Sequence, residues 1–248
     1  MTLRTDGIII REQTTGEQDR LVTVLTRDMG LIKAFVNGGR NPKNKNVSAT
    51  DLLCYADYTI DKTKKDVYII KEATAKQVFF NLRNDITNLS LAQYLAELAR
   101  DFSPKEERCD EFLSLLLNSL HLLCTGTKSD LLIKTVTELR YCCIAGFMPS
   151  IVGCNSCGEY EKGSMYLNPK KGTLFCESCN TDTEGVKLTA GMLYALRHIC
   201  FSTPDKIYSF SLGEDSLLAL GAITERYVKS LTFKQYKTLD FYKTMRSI

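Results

Sequence analysis

Four cysteines, spaced as Cys154-x-x-Cys157 and Cys176-x-x-Cys179 in the stretch CNSCGEYEKGSMYLNPKKGTLFCESC, have the clearest capacity for chemistry in this chain. A Cys-x-x-Cys knuckle delivers two thiolates from one tight turn, and two knuckles complete the tetrahedral shell that zinc takes. The eighteen residues between the pairs fall within zinc-ribbon spacing. One Zn2+ is therefore expected. An iron–sulfur cluster would use the same ligand set, and a disulfide pair would need an oxidising compartment. Catalytic zinc keeps one position open for water or substrate, which a fourth cysteine closes. No His-x-Glu element precedes the knuckles, and Glu159, Glu161 and Glu177 read as solvated surface. The quartet is read as a structural clip, of the kind whose metal adds about 10–16 kcal/mol of apparent binding energy to folding.

The second cluster is electrostatic. Between Asp28 and Asp51 there is no acidic residue, yet Lys33, Arg40, Lys43 and Lys45 all occur there. Three of them sit in NGGRNPKNKN, whose Gly, Asn and Pro content predicts a flexible exposed loop. Cations without a local counter-charge suit phosphate, whose contacts position a nucleic acid without reading its sequence. Phe35, Tyr55, Tyr58 and Tyr68 are nearby aromatics, most of them expected in the core, that would serve as stacking platforms if exposed.

Elsewhere reactive groups are sparse. The chain has no Walker-type phosphate loop, no G-x-G-x-x-G and no G-x-S-x-G. His121 and His198 both fall in amphipathic helical stretches and read as partly buried helix residues. Cys54, Cys109, Cys124, Cys142, Cys143 and Cys200 lie in apolar patterns and read as small hydrophobes. No catalytic residue is assigned, and no enzymatic activity is expected.

The elements that must position these residues change character near residue 80. Before it, DGIIIRE, RLVTVLTR, GLIKAFV, DLLCYADYTID and DVYIIKEAT alternate as short strands between turn signals. Five such runs without intervening helices predict a small Greek-key barrel of the OB-fold type over residues 1–79, with an SH3-like barrel as the competitor. After it, ITNLSLAQYLAELARDF, CDEFLSLLLNSLHLLC, DLLIKTVTELRYCCIAGF, LTAGMLYALRHICF and DSLLALGAITERYVKSL carry helical spacing. The expected organisation is α+β and multidomain: the barrel, a helical domain in two parts (80–150 and 182–248), and the zinc-binding segment 151–181 inserted between them.

With 248 residues the chain is long enough to bury roughly 70–75% of its unfolded surface. Its 32 basic and 29 acidic residues leave +3, too little for net charge to choose a partner. No apolar run approaches the ~20 residues needed to span a bilayer, and MTLRTDGIIIREQ lacks the features of a signal peptide. A cytoplasmic, nucleoid-associated protein without a membrane partner is expected.

TDGIIIREQTTGEQDRLVTVLTRDMGLIKAFVNGGRNPKNK resembles the N-terminal signature of the RecO family of bacterial recombination mediators. An apolar strand leads to a turn with Gly16-Glu17-x-Asp19, a second strand, a Gly30-Leu31 turn and a Gly-x-Arg loop at Gly38-Gly39-Arg40. ELRYCCIAGFMPSIVGC likewise resembles the family's helix, running through Glu138-Leu139-Arg140, Gly146 and Pro149 into the first knuckle. The chain departs from the family at Asn37 and Asn41, where Lys or Arg is frequent, and at Thr137, where an aromatic is usual. The resemblance implies a non-enzymatic DNA-repair protein that binds single- and double-stranded DNA and anneals complementary strands. It further implies that the protein, with RecR, helps load RecA onto strands coated by single-stranded DNA-binding protein, whose acidic C-terminal tail it contacts. Lys134 and Arg140 are candidates for a cation at the rim of a helix-lined pocket taking that tail. A zinc-stabilised protein–protein adaptor with incidental nucleic-acid contact is the alternative.

Overall fold

The run Ile8-Ile9-Ile10 does not alternate because both faces of its strand are buried. In the computed structural model, which describes residues 2–41, 43–161, 163–181 and 183–247, it lies in β1 (Thr2–Thr15). Ile9 joins Val22, Val24, Ile32, Ala34, Val36, Ala56, Tyr58, Ile60 and Ile70 in the barrel core. Ile8 pairs across the sheet with Leu25, and Leu25 with Leu31, so these three share the outer face, where they too are buried. A bulge between Ile9 and Arg11 resets the register within the same strand.

β2 (Asp19–Thr26), β3 (Gly30–Val36), β4 (Cys54–Lys62) and β5 (Tyr68–Val78) close a barrel with β1 in the order β1-β2-β3-β5-β4. All neighbours are antiparallel except β3 and β5, whose parallel pairing at Ala34–Tyr68 and Phe35–Ile69 shuts the barrel. This is the OB-fold arrangement. Gly30, at φ +57°, has no room for a side chain, because an added Cβ would lie 2.4 Å from the Pro104 carbonyl oxygen.

The helices are α1 (Ile86–Phe102), α2 (Asp110–Thr125), α3 (Asp130–Ile144), α4 (Ala190–Phe201), α5 (Glu214–Thr232) and α6 (Lys237–Arg246). Asp85, Ser129 and Thr189 cap α1, α3 and α4 by accepting from backbone N–H groups of the first turn. Between α3 and α4 lies a small sheet of β6 (Met165–Asn168), β7 (Thr173–Cys176) and β8 (Val186–Leu188), ordered β7-β6-β8. The short strands β6–β8 and α6 have no counterpart in the sequence reading.

The chain divides into two compact units, one comprising residues 1–125 and 238–248, the other 126–237. The boundary falls within the stretch read from sequence as 80–150: α1 and α2 group with the barrel, α3 with the cysteine segment. No helix among the described residues is long and apolar enough to cross a membrane.

Within the first unit, Arg27 fastens the barrel to α2. Its guanidinium donates to the Asp6 carboxylate at 2.9–3.1 Å and to Asp110 in the first turn of α2 at 3.2 Å, while the Tyr55 hydroxyl also donates to Asp6. Burial alone would raise the Asp6 carboxyl, but the hydrogen bonds from Arg27 and Tyr55 outweigh it and hold it below its ordinary value. Arg108, and after it Arg27, lower Asp110 in the same way. A depressed carboxylate stabilises the fold at pH above its unfolded value of about 4, and that contribution is lost as pH falls through the folded value. Urea unfolding followed from pH 7 to pH 3 should show stability falling below about pH 4, with a smaller loss in Asp6→Asn. Equal pH dependence in the two proteins would count against the clasp.

Candidate metal centre and nucleic-acid interface

Each knuckle is a tight turn closed by its own backbone. Gly158 N–H donates to the Cys154 carbonyl at 2.9 Å, and Cys179 N–H to the Cys176 carbonyl at 3.0 Å. β6 and β7 pair from Met165–Cys176 to Asn168–Thr173, so the second knuckle grows out of a strand end. Asn155 N–H, donating to the Leu174 carbonyl at 2.8 Å, brings the first knuckle against that strand. The four sulfurs lie within 4.8 Å of one another, with Cys157 and Cys176 at 3.7 Å. Tetrahedral Zn–S bonds of about 2.3 Å set sulfurs about 3.8 Å apart, so the cysteines are positioned to hold a metal ion. Burial opposes ionisation of Cys154, but N–H groups of Cys157, Cys176 and Ser156 on its sulfur bring the thiol down to about 6.

The segment NGGRNPKNKN, read as a flexible loop, is a run of hydrogen-bonded turns among its described residues; Pro42 lies outside them. Gly39, Asn41, Asn44 and Val47 each donate a backbone N–H three residues back, to Val36, Gly38, Asn41 and Asn44. Asparagine side chains supply the remaining ties, as their short amides do well in turns. Asn44 Nδ2 donates to the Asn37 carbonyl at 2.8 Å, and Asn46 exchanges hydrogen bonds with the Lys71 carbonyl and the Ala73 N–H of β5. Arg20, missed in the sequence reading, anchors the far end by donating to Asp51, the Val47 carbonyl, the Thr50 hydroxyl and Glu12 at 2.8–3.2 Å.

Lys33, Arg40, Lys43 and Lys45 are all exposed. Arg40 donates to the carbonyls of Glu17 and Gln18, joining the loop to the β1–β2 turn. Lys45 sits 3.5 Å from Glu72. Lys33 pairs across β3 with Thr23, and Thr23 across β2 with Arg11, so Arg11 and Lys33 share the outer face of the sheet. Phe35, two residues along, faces the same way and is half-buried. Arg11 was not singled out from sequence, because only the register places it in this row. Tyr58 is core, its hydroxyl donating to the Ala49 carbonyl, and Tyr55 is engaged with Asp6. Tyr68 packs against the barrel core with the Lys62 ammonium over its ring, which leaves Phe35 as the one of these four placed for stacking on the outer face.

Residues 1–79 match the family model described as Recombination protein O N terminal, and residues 83–240 the one described as Recombination protein O C terminal. The chain belongs to the RecO family. It is similar to the DNA repair protein RecO of Acetivibrio thermocellus, with 34% identity covering 99% of this chain and 98% of that protein. It is also similar to the proteins of the same name from Dehalococcoides mccartyi and Caldicellulosiruptor bescii, each 28% identical, covering 98% and 97% of this chain and 96% and 98% of theirs.

In this RecO-family chain the metal module stands on α4 through Arg197, a second residue the sequence reading missed. Its buried guanidinium donates to the carbonyls of Ile151, Val152 and Tyr160 at 2.8–3.0 Å and to Glu161 at 2.6 Å, with the Tyr160 ring stacked 3.8 Å away. The hairpin turn is fitted to α5 as well. A Cβ on Gly172 (φ +64°) would lie 2.8 Å from the Tyr227 ring, whose hydroxyl donates to the Phe147 carbonyl.

Lys134 does not stand at a pocket rim, which corrects the sequence reading. It is 2% exposed, with its ammonium 2.9 Å from Glu138 and 3.7 Å from Glu225 of α5. A lysine that deep has its ammonium taken up by the carboxylates packed against it and is closed to a tail. Arg140 is half-buried and donates to the Ile199 and Cys200 carbonyls at the end of α4. His198 is half-buried, stacked on Tyr194 with its ring on the Lys206 carbonyl, whereas His121 is exposed.

Arg197→Met should lower stability by about 3 kcal/mol, since three carbonyls and a carboxylate lose their donor, and should speed metal loss to a chelator; an unchanged urea midpoint would sink the clamp. Cys176→Ser should lower both metal content, read by atomic emission, and thermal stability. Full stability in a metal-free protein would remove the clip.

Proposed function

We propose that this protein is a non-enzymatic recombination mediator of the cytoplasm and nucleoid. It binds single- and double-stranded DNA, anneals complementary strands and, with RecR, helps load RecA onto strands coated by single-stranded DNA-binding protein. Family membership supports the repair role. The observation that carries the DNA reading is the ordered loop after β3, which holds Arg40, Lys43 and Lys45 out in water at the edge of an OB-fold barrel. OB-folds bind single strands through a basic groove, with bases stacked on aromatics. Arg11, Lys33 and Phe35 extend the cationic loop onto the outer face of the sheet in a way that fits such a strand. Cations that screen two backbones bring strands together, and base pairing then supplies the free energy of annealing, so no catalytic group is needed.

The metal is proposed to be one structural Zn2+ on Cys154, Cys157, Cys176 and Cys179, given four thiolate donors and a closed shell. Arg140 is the candidate cation for the acidic tail of single-stranded DNA-binding protein, and the buried Lys134 takes no part in that contact. Residues 1–79 are proposed as the nucleic-acid-binding domain, and 151–181 as the zinc-binding segment within the helical portion.

Changing Arg40, Lys43 and Lys45 together to Ala should weaken binding to single-stranded oligonucleotides and make the log–log salt dependence shallower by about 2. Lys45 contributes least, because it must first leave Glu72. Annealing assays with and without single-stranded DNA-binding protein should fall in parallel. An unchanged salt slope would move the DNA site off this loop.

A further inference from the structure

The neighbours Cys142 and Cys143 close α3, and an α-helix turns them about 100° apart. Cys142 points into the core and is fully buried; Cys143 is turned toward α4 and is only half-buried. There its sulfur lies 3.6 Å from that of the buried Cys200, in the last turn of α4. Arg140 lies one turn back on α3 and donates to the carbonyls of Ile199 and Cys200, which puts a fixed positive charge beside the two sulfurs. We propose that Cys143 and Cys200 are a reversible dithiol, oxidised by hydrogen peroxide to a disulfide that joins α3 to α4 across the base of the cysteine segment.

The asymmetry of the pair assigns the roles. The hydrogen bond with Cys200, then the Arg140 charge, lower the Cys143 thiol despite its burial, and the same hydrogen bond raises Cys200. Burial pushes Cys54 and Cys109 up to about 11 and Cys142 well above its ordinary value, so these stay protonated and inert. Cys143 is the attacking thiolate: its sulfur forms a bond to one peroxide oxygen, the O–O bond breaks, and hydroxide leaves to be protonated to water. Cys200 then attacks the resulting sulfenic sulfur, the S–S bond forms, and the S–O bond breaks, releasing hydroxide that takes the Cys200 proton. Two thiols and one peroxide become one disulfide and two waters, each sulfur being oxidised by one electron. A thiol partner at this distance traps the sulfenic acid before further oxidation.

The consequence is mechanical. The two cysteines are 57 residues apart in sequence, and the interval between them contains all four metal-binding cysteines. A covalent closure there restrains the segment's base by loop-closure entropy, whether or not the metal is bound.

The test uses the full-length, reduced, zinc-loaded protein titrated with hydrogen peroxide, quenched with N-ethylmaleimide and mapped by mass spectrometry without reductant, with zinc release followed by a dye. The Cys143–Cys200 linked peptide, lighter by two hydrogens, should appear before zinc is released and should vanish on dithiothreitol treatment. Cys143 should lose alkylation at least about tenfold faster than Cys54. Cys200→Ser should abolish the linked peptide and leave Cys143 as a sulfenic acid that dimedone captures. The oxidised protein should unfold in EDTA about tenfold more slowly than the reduced one. Zinc release preceding any change at Cys143, a Cys143–Cys142 link, or only intermolecular links would each overturn the proposal. Should Cys200→Ser fail to fold by circular dichroism, the wild-type peptide map decides alone.

Discussion

Arg197 holds the metal module to its helix by satisfying three backbone carbonyls, a carboxylate and an aromatic ring at once. The stretch it grips, from Ile151 to Glu161, contains the first knuckle, a turn-rich segment with little apolar surface of its own. A planar fork of donors suits that need, because one side chain fixes several strands of chain relative to each other. Arg20 does the same for the loop that follows β3, and Arg27 for the contact between barrel and α2. Three guanidiniums thus act as internal ties. A tie of this kind is costly to break, since those of its acceptors that are shielded from water are left unpaired.

The division of labour among the cations follows. The mild net charge of +3 conceals two populations. Arg20, Arg197 and Lys134 are withdrawn from water and neutralised or fully hydrogen-bonded, whereas Arg11, Lys33, Arg40 and Lys43 stand exposed around one part of the barrel. A count of basic residues in the sequence overstates what is available to a polyanion, while their placement around one loop concentrates what remains. The loop's asparagines make this possible without bulk. They satisfy the backbone of the turns themselves, so the cations are presented on an ordered frame and lose less freedom on binding.

The strands and most helices were legible because period and punctuation agree: ITNLSLAQYLAELARDF coincides with α1 from Ile86 to Phe102. The cysteine quartet was legible because its ligands sit in local motifs. Lys134 was misread because an i,i+4 partner at Glu138 looks the same on a wet face as on a buried one; only the packing of α5 against α3 distinguishes them. Arg197 left no signal, since three of its four acceptors are carbonyls, which every residue has, and Arg20 left none because Glu12, Val47, Thr50 and Asp51 are gathered around it only by the fold. Arg11 needed the bulge and the β1–β2 register to be known. The last helix, α6, escaped notice because only Leu239 and Tyr242 are buried along it, too few to set a period.

The first compact unit is interrupted in sequence: it runs to residue 125 and is resumed at residue 238, where Thr238 donates to Glu97 of α1 at 2.7 Å. The segment between is a folded insertion that carries the four cysteines positioned to hold a metal ion. On the ribosome, the barrel with α1 and α2 emerges first but lacks α6 until the insertion has been made. The insertion can therefore begin to fold while its host still lacks α6. α6 thus closes the first unit from the far side of the insertion, and that unit is complete only once this helix has been made.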